Sequence, residues 1–399
     1  MPSRLHLVAL LAGLTAVGPF ALQALAPALP AISAGFAVSP AVAQTLLSFS
    51  LVAMAVSTLL WGPLSDRYGR KPVLIAAMLV AALGSALAAV APVFWLAMLG
   101  RLMQAAGGIA GMVLARTVAQ DLYGRNGSAE VIGQITAAMV VAPMVAPALS
   151  GILVETVGWR AIFASVAALA LLLVIWTVAR LPETAPPAGA RGFRDTLAGF
   201  RIIAGRRAFW AYAGFAAFSF ASFLMFVGAA PYVMRDAFDR GPTDYGLWFM
   251  VIAGAYMLSN IVCGPVTRRL GGDVTLALGA LIGIGACGLG LVAVLILPPH
   301  PAVLFLPSFV YSLGAGLSVP NAMAGAVGAA PERAGAASGL LGFFQFLAGA
   351  LTTQVGGSIP HGSALPLMAA MGLLLLLGLG VHRLCRASAE AVDLPEGRV

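Results

Sequence analysis

Gly62-Pro63-Leu64-Ser65-Asp66-Arg67-Tyr68-Gly69 (GPLSDRYG) has a worn copy about half a chain later, Gly264-Pro265-Val266-Thr267-Arg268-Arg269-Leu270-Gly271 (GPVTRRLG). Each copy follows one long apolar segment and precedes another. Two matching Gly-Pro turns carrying basic residues, set between membrane-length segments, read as a duplicated membrane protein. The first copy runs on into Arg70, Lys71 and Pro72, which makes Gly62–Val73 the most diagnostic stretch of the chain.

The composition agrees. Of 399 residues, 61% are hydrophobic and 9% charged, and the mean hydropathy is +0.98. A soluble domain carries roughly 25% charged residues, so this chain has too few to cover a surface facing water. Its apolar runs reach the roughly 18–20 residues a helix needs to cross a bilayer, and they lack the period-two alternation of barrel strands. The expected class is an all-α polytopic membrane protein.

Twelve spans fit. Six centre near residues 17, 54, 82, 106, 142 and 170, and six near 219, 255, 285, 312, 344 and 374. The first half is expected over 1–181, a polar linker over 182–207 and the second half over 208–399. The linker holds Pro186, Pro187 and five arginines, and its part from Asp195 to Arg206 has a weak amphipathic pattern. The apolar stretch from Leu5 to Leu29 is too long for a signal peptide and reads as a retained first span. With the N-terminus inside, roughly seventeen basic residues fall on the cytoplasmic side and about three (Arg160, Arg235, Arg240) outside. Both termini, the linker and both octapeptides are therefore expected to be cytoplasmic.

The formal charge of +8 lies in short loops and sets orientation, which argues against nucleic-acid binding. Cys263, Cys287 and Cys385 sit in or beside apolar runs and read as small packing residues. They show no metal-ligand spacing with His6, His300, His361 or His382. No cofactor motif, phosphate-cradling loop or catalytic constellation appears within the spans, so neither an enzyme nor direct ATP drive is expected.

GPLSDRYGRKPV (Gly62–Val73) resembles the loop signature between the second and third helices of the major facilitator superfamily. In the second copy Arg268 stands where the first has Asp66. Finer features resemble the drug-export branch, the Bcr/CflA type in particular. These are PALP (Pro27–Pro30), RLMQAAGGIAGMVLARTVAQDLYG from Arg101, Pro143, Pro147 and Gly151 followed by GWRAIF from Gly158, and AGAASGLLGFFQFLAGA from Ala334. The resemblance covers essentially the whole chain. It implies the major facilitator fold of two pseudo-symmetric six-helix halves. It also implies export of small hydrophobic or amphipathic compounds across a bacterial inner membrane by alternating access, with protons as the coupling ion and the chain acting as a monomer.

The resemblance assigns roles to residues. Gly62, Asp66, Gly69 and Arg70 form a conformational latch, in which Asp66 caps the eleventh span near Ala334 and Arg70 pairs with Asp121. Pro143, Pro147 and Gly151 bend the fifth span. Gln23 stands where proton-coupled relatives usually carry an acid, and Gln23 cannot carry a proton. That leaves coupling to peripheral acids such as Asp121 or Glu130, to modulation of Arg101 by substrate, or absent.

Arg101 lies about 14 Å below the end of a helix that starts near Pro92, and an intramembrane cation should face a cavity or a partner. Gln104 is one turn away. The pair suggests a polar anchor in the translocation path, or a site for an anionic group of one dedicated substrate. Phe218 and Ser222, with Phe215 and Phe226, recur at helical spacing on the seventh span. Tyr256, Asn260, Asn321 and Gln345 are polar in otherwise apolar spans. Gln23, Arg101, Gln104, Phe218, Ser222, Tyr256, Asn260 and Gln345 are the expected substrate-binding set.

Overall fold

Where no water reaches the backbone, its donors and acceptors must pair internally, and a helix does this within one segment. The computed structural model describes residues 4–184 and 193–392, and among these there is no β-strand. Twelve helical stretches are long and apolar enough to cross a membrane.

The first span is α1 (Arg4–Leu25), continued through a single 3-10 turn over Ala26–Ala28 into α2 (Leu29–Gly35). Then come α3 (Pro40–Tyr68) and α4 (Arg70–Val90), with α3 started by Ser39, whose Oγ accepts from Val42 N, and by Pro40 at the first helical position. α5 (Phe94–Gly108) and the start of α6 (Ala110–Thr156) form the fourth span, and the rest of α6 forms the fifth. Helical backbone bonding persists through α6, yet the chain doubles back within it. Arg116 and Met139 would lie about 34 Å apart along a straight helix, and their side chains meet at 3.8 Å. α7 (Arg160–Arg180) completes the first six.

α8 (Phe193–Ala204) is a short helix in the stretch expected as a linker. The second six are α9 (Arg207–Phe238), α10 (Pro242–Leu270), α11 (Gly272–Ile296), α12 (Ala302–Gly328), α13 (Ala334–Gly356) and α14 (Leu365–Val392).

The octapeptides are not Gly-Pro turns. α3 runs through Gly62 and Pro63 to Tyr68, and α10 runs through Gly264 and Pro265 to Leu270. Each reversal is made by the last residue of its copy, Gly69 at φ +100° and Gly271 at φ +85°. Only glycine adopts that backbone without strain. Gly62 has open space where a Cβ would stand, so nothing in its surroundings requires glycine. The proline falls near the end of α3, where its missing N–H leaves Leu59 O without its usual helical donor, and Ser65 Oγ donates to Gly62 O at 2.8 Å.

The duplication reaches into the packing. A Cβ built on Gly84 of α4 would stand 2.5 Å from Gly100 O of α5, and one on Gly100 would stand 2.5 Å from Gly84 O. In the second half, Gly279 of α11 and Gly314 of α12 face each other in the same way at 2.4 Å. Spans three and four, and spans nine and ten, thus cross backbone against backbone, the close approach that small residues allow in a membrane.

The chain forms two compact units. One comprises Met1–Ala190, Val227–Met250 and Thr353–Ser358, the other Arg191–Phe226, Val251–Thr352 and Ile359–Val399. The first unit has a core built on Leu10, Leu11, Leu14, Met78, Leu114 and Leu173. The second is built on Phe209, Phe215, Leu276, Ala322 and Leu341.

Candidate functional site

Arg101 is 1% exposed. Glycines set its surroundings. Gly100 and Gly107 press α5 onto α4, and Gly108 meets Gly18 of α1. Arg101 and Gly108 are seven residues apart, so they share a helix face. Arg101 Nη1 donates to Gln104 Oε1, Gln104 Nε2 donates to Ser85 Oγ at 2.8 Å, and Ser85 Oγ donates to Ala81 O at 2.6 Å. Among the described residues Arg101 Nε finds no partner, nor does the buried Oε1 of Gln23. The structure thus joins Arg101 to Gln104 as one polar chain in an apolar bundle. A guanidinium held only by a neutral amide remains uncompensated, and that is costly at such depth. No acid among the described residues lies midway along a span.

At the end of the unit that carries Gly69, Arg70 is the hub of a charged cluster and is 7% exposed. Nη1 donates to Asp66 and to Ser65 Oγ, and Nε donates to Asp121 Oδ2 at 3.3 Å. Asp66, Gly69, Arg70 and Asp121 therefore come together. The sequence missed Glu183. Its Oε1 accepts from Arg70 N at 2.8 Å and its Oε2 from Lys71 N at 3.3 Å, so it caps α4. A Cβ on Gly69 would also stand 2.6 Å from Glu183 Oε2. A carboxylate at a helix N-terminus satisfies orphan donors and meets the positive end of the dipole. Glu183→Ala is expected to destabilise the protein by about 0.5–2 kcal/mol, read as a lower midpoint in thermal unfolding of detergent-solubilised protein. The signal was faint, because Glu183 sits in a polar stretch that carries no span periodicity.

At the opposite end of the same unit, Pro143, Pro147 and Gly151 lie inside unbroken α6. This stretch receives the start of α10. A Cβ on Gly151 would stand 2.4 Å from Pro242 O, and one on Gly246 would stand 2.5 Å from Pro147 O. Glu155 then caps α10, its Oε1 accepting from Thr243 N at 3.1 Å and its Oε2 from Thr243 Oγ1 at 2.6 Å. Nearby in the unit, Ser48 Oγ donates to Gln354 Oε1 at 2.8 Å and Gln354 Nε2 donates to Ala41 O at 2.9 Å. Gln44 packs against Gly228 and Gly357 with its amide unpartnered.

In the second unit the expected aromatic stripe meets α14. Ser222 Oγ donates to Met371 O at 3.1 Å, and Phe215 and the Cβ of Phe218 back onto Gly378. Phe226 stacks edge-on with Phe305 at 5.6 Å. These contacts hold the seventh span to its neighbours, while Phe218 remains half-buried. Asn260 Nδ2 turns back to Tyr256 O at 2.9 Å, and Asn321 bonds Thr267 at 3.0 Å. Tyr256 and Gln345 are half-buried.

The chain matches the model of the Major Facilitator Superfamily over residues 11–353. It is 27% identical over 363 residues to a bicyclomycin resistance protein homolog of Haemophilus influenzae, covering 90% of each chain. It is 26% identical over 380 residues to multidrug resistance protein D of Escherichia coli K12, covering 93% of this chain and 94% of the other. Among solved structures, a bacterial homolog to the human lysosomal transporter Spinster, inward-facing and unoccupied, is similar with a TM-score of 0.79 at 15% identity over 100% of both chains. That last likeness bears on the fold alone. With twelve apolar helices, an octapeptide repeated in both halves and a family match over most of its length, the chain belongs to the major facilitator superfamily of membrane transporters.

Proposed function

We propose that this protein exports small amphipathic compounds, drugs among them, across a bacterial inner membrane by alternating access. The observation that carries this reading is the similarity, over at least 90% of each chain, to relatives named for bicyclomycin and multidrug resistance. The Arg101–Gln104–Ser85 chain supports it, because a few polar anchors among apolar walls suit ligands of mixed polarity. Arg101, Gln104 and Gln23 are the anchors of the first unit, and Tyr256, Asn260 and Gln345 those of the second. The Arg70 cluster and the Glu155 cap at opposite ends of one unit are the contacts that would alternate as the transporter changes state. The protein works as a monomer, with both termini and the Gly69 and Gly271 turns in the cytoplasm, following the loop-charge asymmetry.

A second reading rests on Arg101 itself. A buried cation without a carboxylate partner invites an anionic group, so the substrate would be one organic anion. Counterflow in reconstituted vesicles separates the readings. The export reading expects a neutral or cationic drug to exchange, and to be driven by an imposed pH gradient if protons couple. Exchange restricted to anions would favour the second reading, and indifference to the gradient would reject proton coupling.

A further inference from the structure

The second unit holds a groove of about 380 Å³ between α11 and α14. Val274, Ala277 and Leu379 give it apolar walls, and Asp273, His382, Arg383 and Arg386 supply its polar groups. Asp273 is the second residue of α11, and His382, Arg383 and Arg386 follow the apolar run of α14. The groove therefore lies where two spans end, at the level of a lipid headgroup.

Two of its polar groups are fixed by α9. Asp273 Oδ1 accepts from Tyr212 OH at 2.7 Å, while His382 Nδ1 lies 3.1 Å from Ala211 O and its ring packs on Tyr212. Asp273 Oδ2 pairs with Arg386. Both carboxylate oxygens are thus engaged. Arg383 is exposed and makes no hydrogen bond or ion pair among the described residues. It stands three residues before Arg386, so the two guanidinium groups share one face of α14. Away from the charged end, Val274, Leu278 and Leu281 form an exposed lane along α11, being 56%, 40% and 52% exposed.

We propose that this groove seats one anionic phospholipid, its phosphate on Arg383 and Arg386 and an acyl chain along Val274, Leu278 and Leu281. Guanidinium groups offer paired donors that match phosphate oxygens, and basic pockets between spans are suited to acidic headgroups. A zwitterionic headgroup fits less well, because its ammonium would stand beside the guanidinium groups of Arg383 and Arg386. The charged lining residues are net basic, Arg383 and Arg386 against Asp273.

Native mass spectrometry of the full-length protein in detergent, titrated with phosphatidylglycerol or phosphatidylethanolamine, tests this. Wild type should retain one phosphatidylglycerol in preference to phosphatidylethanolamine. Arg383→Gln should reduce that retention about fivefold to tenfold, and Val274→Glu, which sets a negative charge in the groove, should reduce it as well. Arg240→Gln, paired with Asp244 and not among the groove's lining residues, should retain it, and millimolar inorganic phosphate should not displace it. Equal retention of both lipids, unchanged retention in Arg383→Gln, loss in Arg240→Gln, or displacement by inorganic phosphate would each overturn the proposal. Arg383 is exposed and unpaired, so its replacement leaves the fold in place for the measurement.

Discussion

Arg101→Met combined with Gln104→Leu is expected to lower transport about 10–100-fold while leaving the protein as stable as before, or more so. The guanidinium is 1% exposed, bonded to one neutral amide, with Nε unpartnered. Desolvating an ion costs several kcal/mol, and apolar replacement of buried charges is often neutral or stabilising by about 1–4 kcal/mol. Arg101→Met alone would strand Gln104 Oε1, at a cost of about 1–3 kcal/mol, so the paired change isolates the charge. A group kept at such expense belongs to function. A charged hydrogen bond to substrate is worth about 1.5–3 kcal/mol, which is the source of the expected fold-change. Thermal unfolding and counterflow are measured on the same preparation. Full transport by the double variant, or a marked loss of stability, would make Arg101 a structural residue.

Gly279→Val is expected to prevent accumulation of folded protein, and Gly84→Val to do the same through the other half. In each case the new Cβ would fall within 2.5 Å of a backbone carbonyl on the facing helix, Gly314 O or Gly100 O. A side chain can rotate away, but a carbonyl fixed in a helix cannot, so the helices must separate. Overpacking costs about 1–3 kcal/mol and occasionally more, and this geometry belongs at or above the upper end. Gly285→Ala on the same α11 is the control, because nothing lies within 4 Å of its Cβ position. There the change should be neutral or stabilising by about 0.5–1 kcal/mol. Equal folded yield and unfolding temperature for Gly279→Val and Gly285→Ala would show that the crossing relaxes.

Some of the site was legible in the sequence for local reasons. Arg101 and Gln104 stand out as polar groups in a charge-poor run, and their spacing of three puts them on one helix face. Asp66 and Arg70 are four residues apart and flank the reversal at Gly69, so their meeting requires little beyond chain geometry. Asp121 joined them through the resemblance. Glu183 and Glu155 were passed over because their partners, the amides of Arg70 and Thr243, are backbone groups that any residue supplies. The stripe of Phe215, Phe218 and Ser222 could be read as one face but its contacts with α14 could not, since periodicity says which residues share a face and nothing about what covers it.

Hydrophobicity summed over short windows is a local property, so the sequence by itself determined twelve helical spans and the residue types at each polar break. The repeated octapeptide added the duplication. Only the tertiary structure decided that the chain reverses at Gly69 and Gly271 rather than at Gly62 and Gly264. It alone showed that Gly84 meets Gly100 as Gly279 meets Gly314, that Arg101 lacks a countercharge among the described residues, and that Asp273 is paired with Arg386. Each of these depends on what a second helix brings into contact. In a chain where nearly every segment is apolar, the pattern of one helix does not specify its neighbour. Close backbone approach and the few polar groups left to be satisfied make that choice.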